Sequence, residues 1–100
     1  MLRFIKVSGD SLNPVICEGD FVLIVKIPFV LNSLKQGDVV VLNHPEYGRL
    51  IKRIAWVSAD GEAIFVVGTH EFSVDSRQFG PISKRMLHGK VIWHIPKPGG

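Results

Sequence analysis

The stretch Arg49-Leu50-Ile51-Lys52-Arg53-Ile54-Ala55-Trp56-Val57 alternates between apolar and polar side chains over part of its length. The apolar run Ala63–Val67 follows it, and the turn pair Asp60-Gly61 lies between the two stretches. Two runs rich in β-branched residues on either side of an Asp-Gly pair are typical of a β-hairpin. This stretch therefore predicts a β-fold rather than a helical one.

Short apolar runs separated by turns continue on both sides of this hairpin. Three of them have strand length and β-branched enrichment, namely Phe21–Val25, Val39–Leu42 and Val91–Trp93. Only residues 83–87 have the pattern of a short helix. We expect a mostly β, single small domain, built as a partly closed β-barrel of about six to eight strands. The domain is expected to span residues 1–95, with a frayed tail over residues 96–100.

The composition is that of an ordinary globular domain. The chain has 100 residues, of which 46% are hydrophobic, and 12 Lys and Arg against 9 Asp and Glu give a net charge of +3. The longest stretches without a charged residue contain eight residues, whereas a membrane-spanning helix needs about 20 apolar residues. No basic run is longer than two residues, which argues against a nucleic-acid partner. Cys17 is the only cysteine, and its apolar neighbours favour a small buried residue over a thiol nucleophile.

The segment Ile27–Leu31 is an apolar stretch between two predicted strands. Pro28 argues against a central strand here, because proline cannot donate to a strand ladder. The segment is either a loop that covers the core or an exposed apolar lip that contacts lipid or an extended peptide. The second interpretation predicts peripheral contact with a membrane.

A tight turn near the N-terminus carries the first candidate catalytic residue, Ser11. Gly9 permits a close backbone approach, and Pro14 restricts the residue before it to extended geometry. A serine in such a bend can present its hydroxyl beside backbone N–H groups that stabilise an oxyanion. A Gly-Asp-Ser sequence also occurs in ordinary turns, so the segment alone leaves a purely structural role open.

Lys52 is the second candidate. Strand alternation places Leu50, Lys52 and Ile54 on one face of the predicted strand. A lysine between aliphatic neighbours is partly desolvated, which lowers its pKa and lets the neutral amine accept a proton near pH 7. The alternative is a lysine at a sheet edge whose ammonium reaches water. A serine with a lysine base is a known hydrolytic arrangement that needs neither His nor Asp.

The sequence predicts no metal site and no cofactor. The four histidines have no metal-ligand spacing; they are His44, His70, His88 and His94. The chain also lacks a phosphate-binding glycine loop and a dinucleotide-binding fingerprint.

Five short boxes, in order along residues 7–92, resemble those of type I signal peptidases. They are Gly9-Asp10-Ser11-Leu12-Asn13-Pro14, Glu18-Gly19-Asp20-Phe21-Val22-Leu23, Gly37-Asp38-Val39-Val40-Val41, Ile51-Lys52-Arg53-Ile54 and Ser73-Val74-Asp75-Ser76-Arg77-Gln78-Phe79-Gly80-Pro81. The resemblance implies an endopeptidase with a Ser/Lys dyad on a β-rich fold of the signal-peptidase catalytic-core type.

The resemblance also implies roles for individual residues. Ser11 matches the nucleophile, and Lys52 matches the general base. Ser73 matches the serine that hydrogen-bonds the lysine amine. Asp75 and Arg77 match an ion pair that supports the loop of this serine.

The turn around Ser11 is implied to form the oxyanion site and part of the substrate site. Gly9 and Asp10 match the oxyanion and turn positions, with the Ser11 N–H as the donor. Leu12 and Pro14 match positions against the substrate, although Leu12 stands where the family usually has methionine.

The sequence also departs from the family pattern at two places. Val15 stands where threonine is usual, and Gly68-Thr69-His70 replaces the usual Gly-Asp-Asn in a loop one residue shorter. The chain most resembles the small nickel-type superoxide dismutase maturation proteases, because it is short and carries His44-Pro45 after the Gly-Asp box. That resemblance implies cleavage of a short leader from a precursor protein.

We therefore expect a serine endopeptidase that removes an N-terminal leader peptide, with the substrate extended along a strand edge. The alternatives are a general leader peptidase acting at the membrane, a self-cleaving repressor-type domain with the same dyad, and a non-enzymatic peptide-binding barrel. The expected location is the cytoplasm or the periphery of a membrane.

Overall fold

Seven strands form one antiparallel sheet in the computed structural model, which describes residues 1–8, 12, 15–69 and 74–98. The strands are β1 (Leu2–Lys6), β2 (Phe21–Val25), β3 (Val39–His44), β4 (Gly48–Val57), β5 (Ala63–Val67), β6 (Ile82–Ser83) and β7 (Leu87–Ile95). Two four-residue helices, α1 (Pro28–Leu31) and α2 (Ser76–Phe79), and the 3₁₀ turn Lys84–Met86 connect them. The prediction of a mostly β, single small domain is confirmed.

The sheet is open rather than closed. Its strand order is β1-β2-β7-β3-β4-β5-β6, so β1 and β6 are the edges within the part of the chain that the structure describes. Register shifts occur in the β2–β7, β3–β7 and β4–β5 pairs. Such bulges bend and twist a sheet, and here residues of β1 and β4 line one small cavity although three strands separate them.

The predicted β4–β5 hairpin is confirmed. Arg53 pairs with Val67, and Gly61 has the positive φ of 77° that the turn requires. β7 is longer than expected and runs from Leu87 to Ile95, while the short helix expected at 83–87 is the 3₁₀ turn. β1 was not predicted as a strand. Only one of its five residues, Ile5, is buried in the structure.

Two core clusters pack against the sheet, and alternation along β3 divides neighbouring residues between them. Val41 and Ile51 belong to the first cluster, whereas Val40 and Ile54 belong to the second. The first cluster consists of Ile5, Val7, Leu12, Ile16, Val22, Ile24, Val41 and Ile51. The second consists of Val40, Leu42, Ile54, Ile64, Val66, Ile82 and Leu87. The middle of β4 is therefore buried on both faces.

The apolar segment Ile27–Leu31 contains α1 and has both a buried and an exposed part, while its contact with lipid or peptide stays a prediction. Leu31 packs against the second cluster, whereas Phe29 is 80% exposed. None of the helices among the described residues is long and apolar enough to cross a membrane.

Candidate active site

Lys52 lies in the middle of β4 and is fully buried, with 0% of its surface exposed. Its cross-strand partner on β3 is Val40, and its neighbours on the same face are Leu50 and Ile54. The prediction that Lys52 lies on an apolar face is confirmed, and the alternative of a lysine at a sheet edge is wrong. Removing an ammonium group from water favours the neutral amine, so this position suits a proton acceptor.

The segment that carries the candidate nucleophile lies mostly outside the described residues. This applies to Ser11, to Gly9 and Asp10, and to Pro14, so their predicted roles stay predictions. Leu12, the residue after Ser11, is described.

Leu12 connects the nucleophile segment to the strand of Lys52. Its side chain is 1% exposed and belongs to the same core cluster as Ile51, the residue before Lys52. The N–H of Ile16 donates to the carbonyl of Leu12 at 3.0 Å, which closes a tight turn. The residues next to both dyad candidates thus share one core. The structure packs the side chain of Leu12 inside the domain. Its predicted contact with substrate stays a prediction.

Asp20 holds the base of the loop that carries Ser11. Its carbonyl accepts from the N–H of Val7 at 2.7 Å, and its side chain accepts from the N–H of Cys17 at 2.9 Å. Gly19 donates in turn to the carbonyl of Val7 at 2.8 Å. Hydrogen bonds of Asp20 and Gly19 therefore hold the two ends of the segment 8–16 together.

The same carboxylate joins this loop to the C-terminal part of the chain. His94 Nε2 lies 2.7 Å from Asp20 Oδ2, and the N–H of Lys97 donates to Oδ1 at 2.9 Å. Hydrogen bonds from the N–H of Cys17, from His94 and from the N–H of Lys97 lower the pKa of Asp20 to about 2. The carboxylate is therefore ionised at neutral pH and links three parts of the chain.

Asp75 and Arg77 form the ion pair that the resemblance implied. Arg77 Nη2 lies 2.7 Å from Asp75 Oδ2, and Arg77 Nε donates to Oδ1 at 3.0 Å. The N–H of Gly68 also donates to Asp75, at 2.8 Å. Burial opposes ionisation of this carboxyl, but the hydrogen bonds from Arg77 and Gly68 outweigh it and lower the pKa of Asp75. The carboxylate ties the end of β5 to the start of α2.

This tie follows the strand that pairs with β4. Val67 pairs with Arg53, the residue after Lys52, and Gly68 directly follows Val67. Ser73 belongs to the segment 70–73, which lies outside the described residues, so its predicted bond to the lysine amine stays a prediction. Gly68 and Asp75, which lie on the two sides of that segment in the sequence, are hydrogen-bonded to each other.

Sequence reasoning missed the roles of Asp20 and His94. Asp20 stands in a Gly-Asp turn, where an aspartate commonly accepts hydrogen bonds from nearby backbone N–H groups. Its local hydrogen bonds could therefore have been predicted from the sequence. His94 is 74 residues away along the chain, and nothing in the sequence indicated this contact. Within the described ranges, no group of three or more His, Cys, Asp or Glu residues is arranged to hold a metal ion.

Comparison with known proteins shows the family to which the chain belongs. The profile of the family described as Peptidase S24-like matches residues 1–91. The match covers most of the chain, and the chain therefore belongs to the peptidase S24-like family.

A curated relative agrees with this assignment. The chain is similar to the "Mitochondrial ATP-independent inner membrane protease subunit 1b" of Arabidopsis thaliana, with 28% identity over 111 residues. The match covers 87% of this chain and 66% of the relative, so the chain spans just under two thirds of that protein's length. Family and relative together support a peptidase of the signal-peptidase type, and neither points to the nickel superoxide dismutase subgroup.

Proposed function

We propose that the protein is a serine endopeptidase of the signal-peptidase type that removes an N-terminal leader peptide from a precursor protein. Ser11 is the nucleophile, and Lys52 is the general base. The observation that carries the proposal is the complete burial of Lys52 in an apolar part of β4, beside a core that contains the neighbour of Ser11. A buried lysine has a functional use when its neutral amine takes up a proton.

The reaction is an acyl transfer in two stages. The neutral amine of Lys52 takes the proton of the Ser11 hydroxyl, and Oγ attacks the scissile carbonyl carbon. The C–N bond then breaks, the new amine takes its proton from the Lys52 ammonium, and the leader stays bound to Ser11 as an ester. In the second stage Lys52 accepts a proton from water, which attacks the ester carbonyl carbon. The bond from this carbon to Ser11 Oγ then breaks, the Lys52 ammonium returns a proton to Oγ, and the leader leaves with a free carboxyl group that ionises in water. Backbone N–H groups of the Ser11 turn hold the oxyanion in both stages.

Cleavage of a leader-bearing precursor tests this proposal. Ser11→Ala and Lys52→Met should each lower kcat/KM by about a thousandfold or more, because neither variant can carry out the proton transfer and attack. Mass spectrometry of the products gives both the rate and the bond that is cut.

Matched controls separate loss of chemistry from loss of structure. Ser33→Ala and Lys35→Met remove the same groups at exposed positions and should keep the wild-type rate. A folded Ser11→Ala variant that still cleaves at the wild-type rate would refute the assignment. Cleavage of the precursor at the same rate in the absence of the protein would also refute it, because the precursor would then be cutting itself.

The precursor of a nickel-type superoxide dismutase is the narrower substrate that the sequence suggests. It is tested beside a general secretory leader in the same assay. Selective cleavage of the first supports a maturation protease, and cleavage of both supports a general leader peptidase. Binding of both without any cleavage would favour the non-enzymatic peptide-binding alternative.

We also propose that the protein contacts a membrane surface through α1 and the adjoining outer face of β1, β2 and β7. Alternation and register place exposed apolar side chains together on this face; they are Leu2, Phe4, Phe21, Trp93 and Ile95, each at least 40% exposed. Phe29 extends the apolar surface at α1. These three strands contain no Asp or Glu, so an anionic lipid surface suits their charge.

A further inference from the structure

Three cations gather around one histidine on the face of the sheet opposite the outer apolar face. Arg3 Nη1 donates to His88 Nε2 at 3.0 Å. Lys26 directly follows β2, and its N–H donates to the carbonyl of Met1, which places it at the same end as Arg3. Arg49 reaches the group from β4: it pairs with Asn43 on β3, the strand that separates β4 from β7. We name Arg3, Lys26, Arg49 and His88 the basic cluster.

The histidine of the basic cluster is neutral. Burial disfavours its charged form, and the positive charges of Arg3, Arg49 and Lys26 act in the same direction, so the pKa of His88 is lowered. A neutral ring also fits the contact with Arg3, because a guanidinium only donates and Nε2 must therefore accept. The cluster thus carries three positive charges.

The described residues hold no carboxylate within ion-pair distance of Arg3, Lys26 or Arg49. The ion pairs found there are made by Arg77, Lys84 and Lys90, and the imidazole of His94 contacts Asp20. None of β1, β2, β4 and β7, which bring the cluster together, contains Asp or Glu. Like charges that are held together without a counter-charge repel one another, and an added anion would relieve this repulsion.

The basic cluster borders a small cavity, and two of the residues that line it are close in sequence to the dyad candidates. The cavity has a volume of about 20 Å³, and Arg49 lines it together with Ile5, Ser8 and Ile51. Ser8 lies three residues before Ser11, and Ile51 precedes Lys52. β1, which runs from the basic cluster toward Ser8, is an edge strand of the sheet that the described residues form. An extended peptide that pairs with this edge passes both the basic cluster and the small cavity.

We propose that the basic cluster binds an acidic side chain of the substrate, and that Arg49 determines this specificity. The inference rests on the proposed function, since it takes the bound peptide to be the one that is cut. Arg3 and Ser8 are five residues apart in extended chain, which corresponds to roughly 17 Å. The acidic residue is therefore expected about five to seven residues from the scissile bond.

Peptide substrates that differ at a single position test the proposal. Glu, Gln or Lys is placed in turn at each of about eight positions on either side of the cleavage site, and kcat/KM is measured. The wild-type protein should prefer Glu over Lys about fivefold or more at one position in the expected range. Arg49→Glu should reverse this preference, whereas Arg85→Glu, the same change at an exposed position on the 3₁₀ turn, should leave it unchanged.

A second measurement keeps this inference separate from the proposed function. Binding of the Glu and Lys peptides to Ser11→Ala, with and without Arg49→Glu, reports the preference without any cleavage. Equal affinities for the two peptides would overturn the inference even if cleavage occurs. An equal loss of preference in Arg85→Glu would do the same, because it would mean that only net charge matters. If vesicles of anionic lipid bind in place of the peptides and Arg49→Glu abolishes that binding, the cluster serves a membrane and the inference also fails.

Discussion

Lys52 occupies a fully buried position in β4, next to apolar residues on the same face. We expect Lys52→Met to lower the free energy of unfolding less than a cavity-creating change does, because methionine keeps most of the buried volume. Urea unfolding measures this. The control Ile54→Ala, one step away on the same face, should lose about 2–5 kcal/mol through the cavity it creates. A similar loss in Lys52→Met would show that the lysine serves the fold rather than catalysis.

Asp20 gives a prediction about acid stability. Because its pKa is lowered from 3.8 to about 2, the carboxylate stabilises the fold above pH 4, and this contribution is lost as the pH falls toward 2. Asp20→Asn lacks the contribution at every pH. We expect its melting temperature to lie below that of the wild type at pH 7, with a difference that shrinks between pH 4 and pH 2. A difference that stays constant over this range would contradict the assigned role.

The placement of Lys52 could be predicted because alternation along a long strand determines which side chains share a face. The contact between Asp20 and His94 could not, because it depends on β2 pairing with β7 across 74 residues of sequence. The roles of Ser11 and Ser73 came from the family resemblance, and local physical chemistry alone left a structural role for Ser11 open.

At the scale of elements, a buried hydrogen bond joins α2 to β5. The hydroxyl of Ser76 accepts from the N–H of Val66 on β5 at 2.9 Å. Ser76→Ala should lower the free energy of unfolding by about 1–3 kcal/mol, because it leaves a buried N–H without a partner. The exposed Ser33→Ala should change it by less than about 0.5 kcal/mol. Chemical denaturation of the two variants makes the comparison, and equal effects would refute the role of Ser76.

Ser76→Ala should also reduce cleavage more than it reduces the folded fraction. α2 follows the segment that contains Ser73, and its hydrogen-bond partner Val66 pairs with Ile54, two residues after Lys52. Single-turnover rates at a temperature where both proteins are folded measure this effect. An unchanged rate would mean that the position of α2 does not matter for the site.

The elements that could be predicted are those with strong patterns. The β4–β5 hairpin has β-branched strands and an Asp-Gly turn, so its sequence determines it locally. β1 has an edge position and mostly exposed side chains, and α1 and α2 have only four residues each. Such short or exposed elements depend on tertiary contacts that a local pattern does not contain.

At the scale of the whole molecule, the two tryptophans distinguish the proposed membrane face from the rest of the surface. Trp93 lies on the outer apolar face and is 65% exposed, whereas Trp56 is 45% exposed and stacks on Phe65 at 5.4 Å. With anionic vesicles that contain brominated lipid, Trp56→Phe should show strong fluorescence quenching, since only Trp93 remains. Trp93→Phe should show little. Equal quenching of both variants, or quenching of neither, would contradict the proposed face.

The Ser11/Lys52 dyad is the central claim, and labelling with a serine-reactive analogue of a leader peptide tests it most directly. Intact-mass measurement should show one adduct per chain in the wild type, and peptide mapping should place it on Ser11. Lys52→Met should form no adduct on the same timescale, because its serine is not activated. An adduct that forms equally fast in Lys52→Met, or on a residue other than Ser11, would contradict the account.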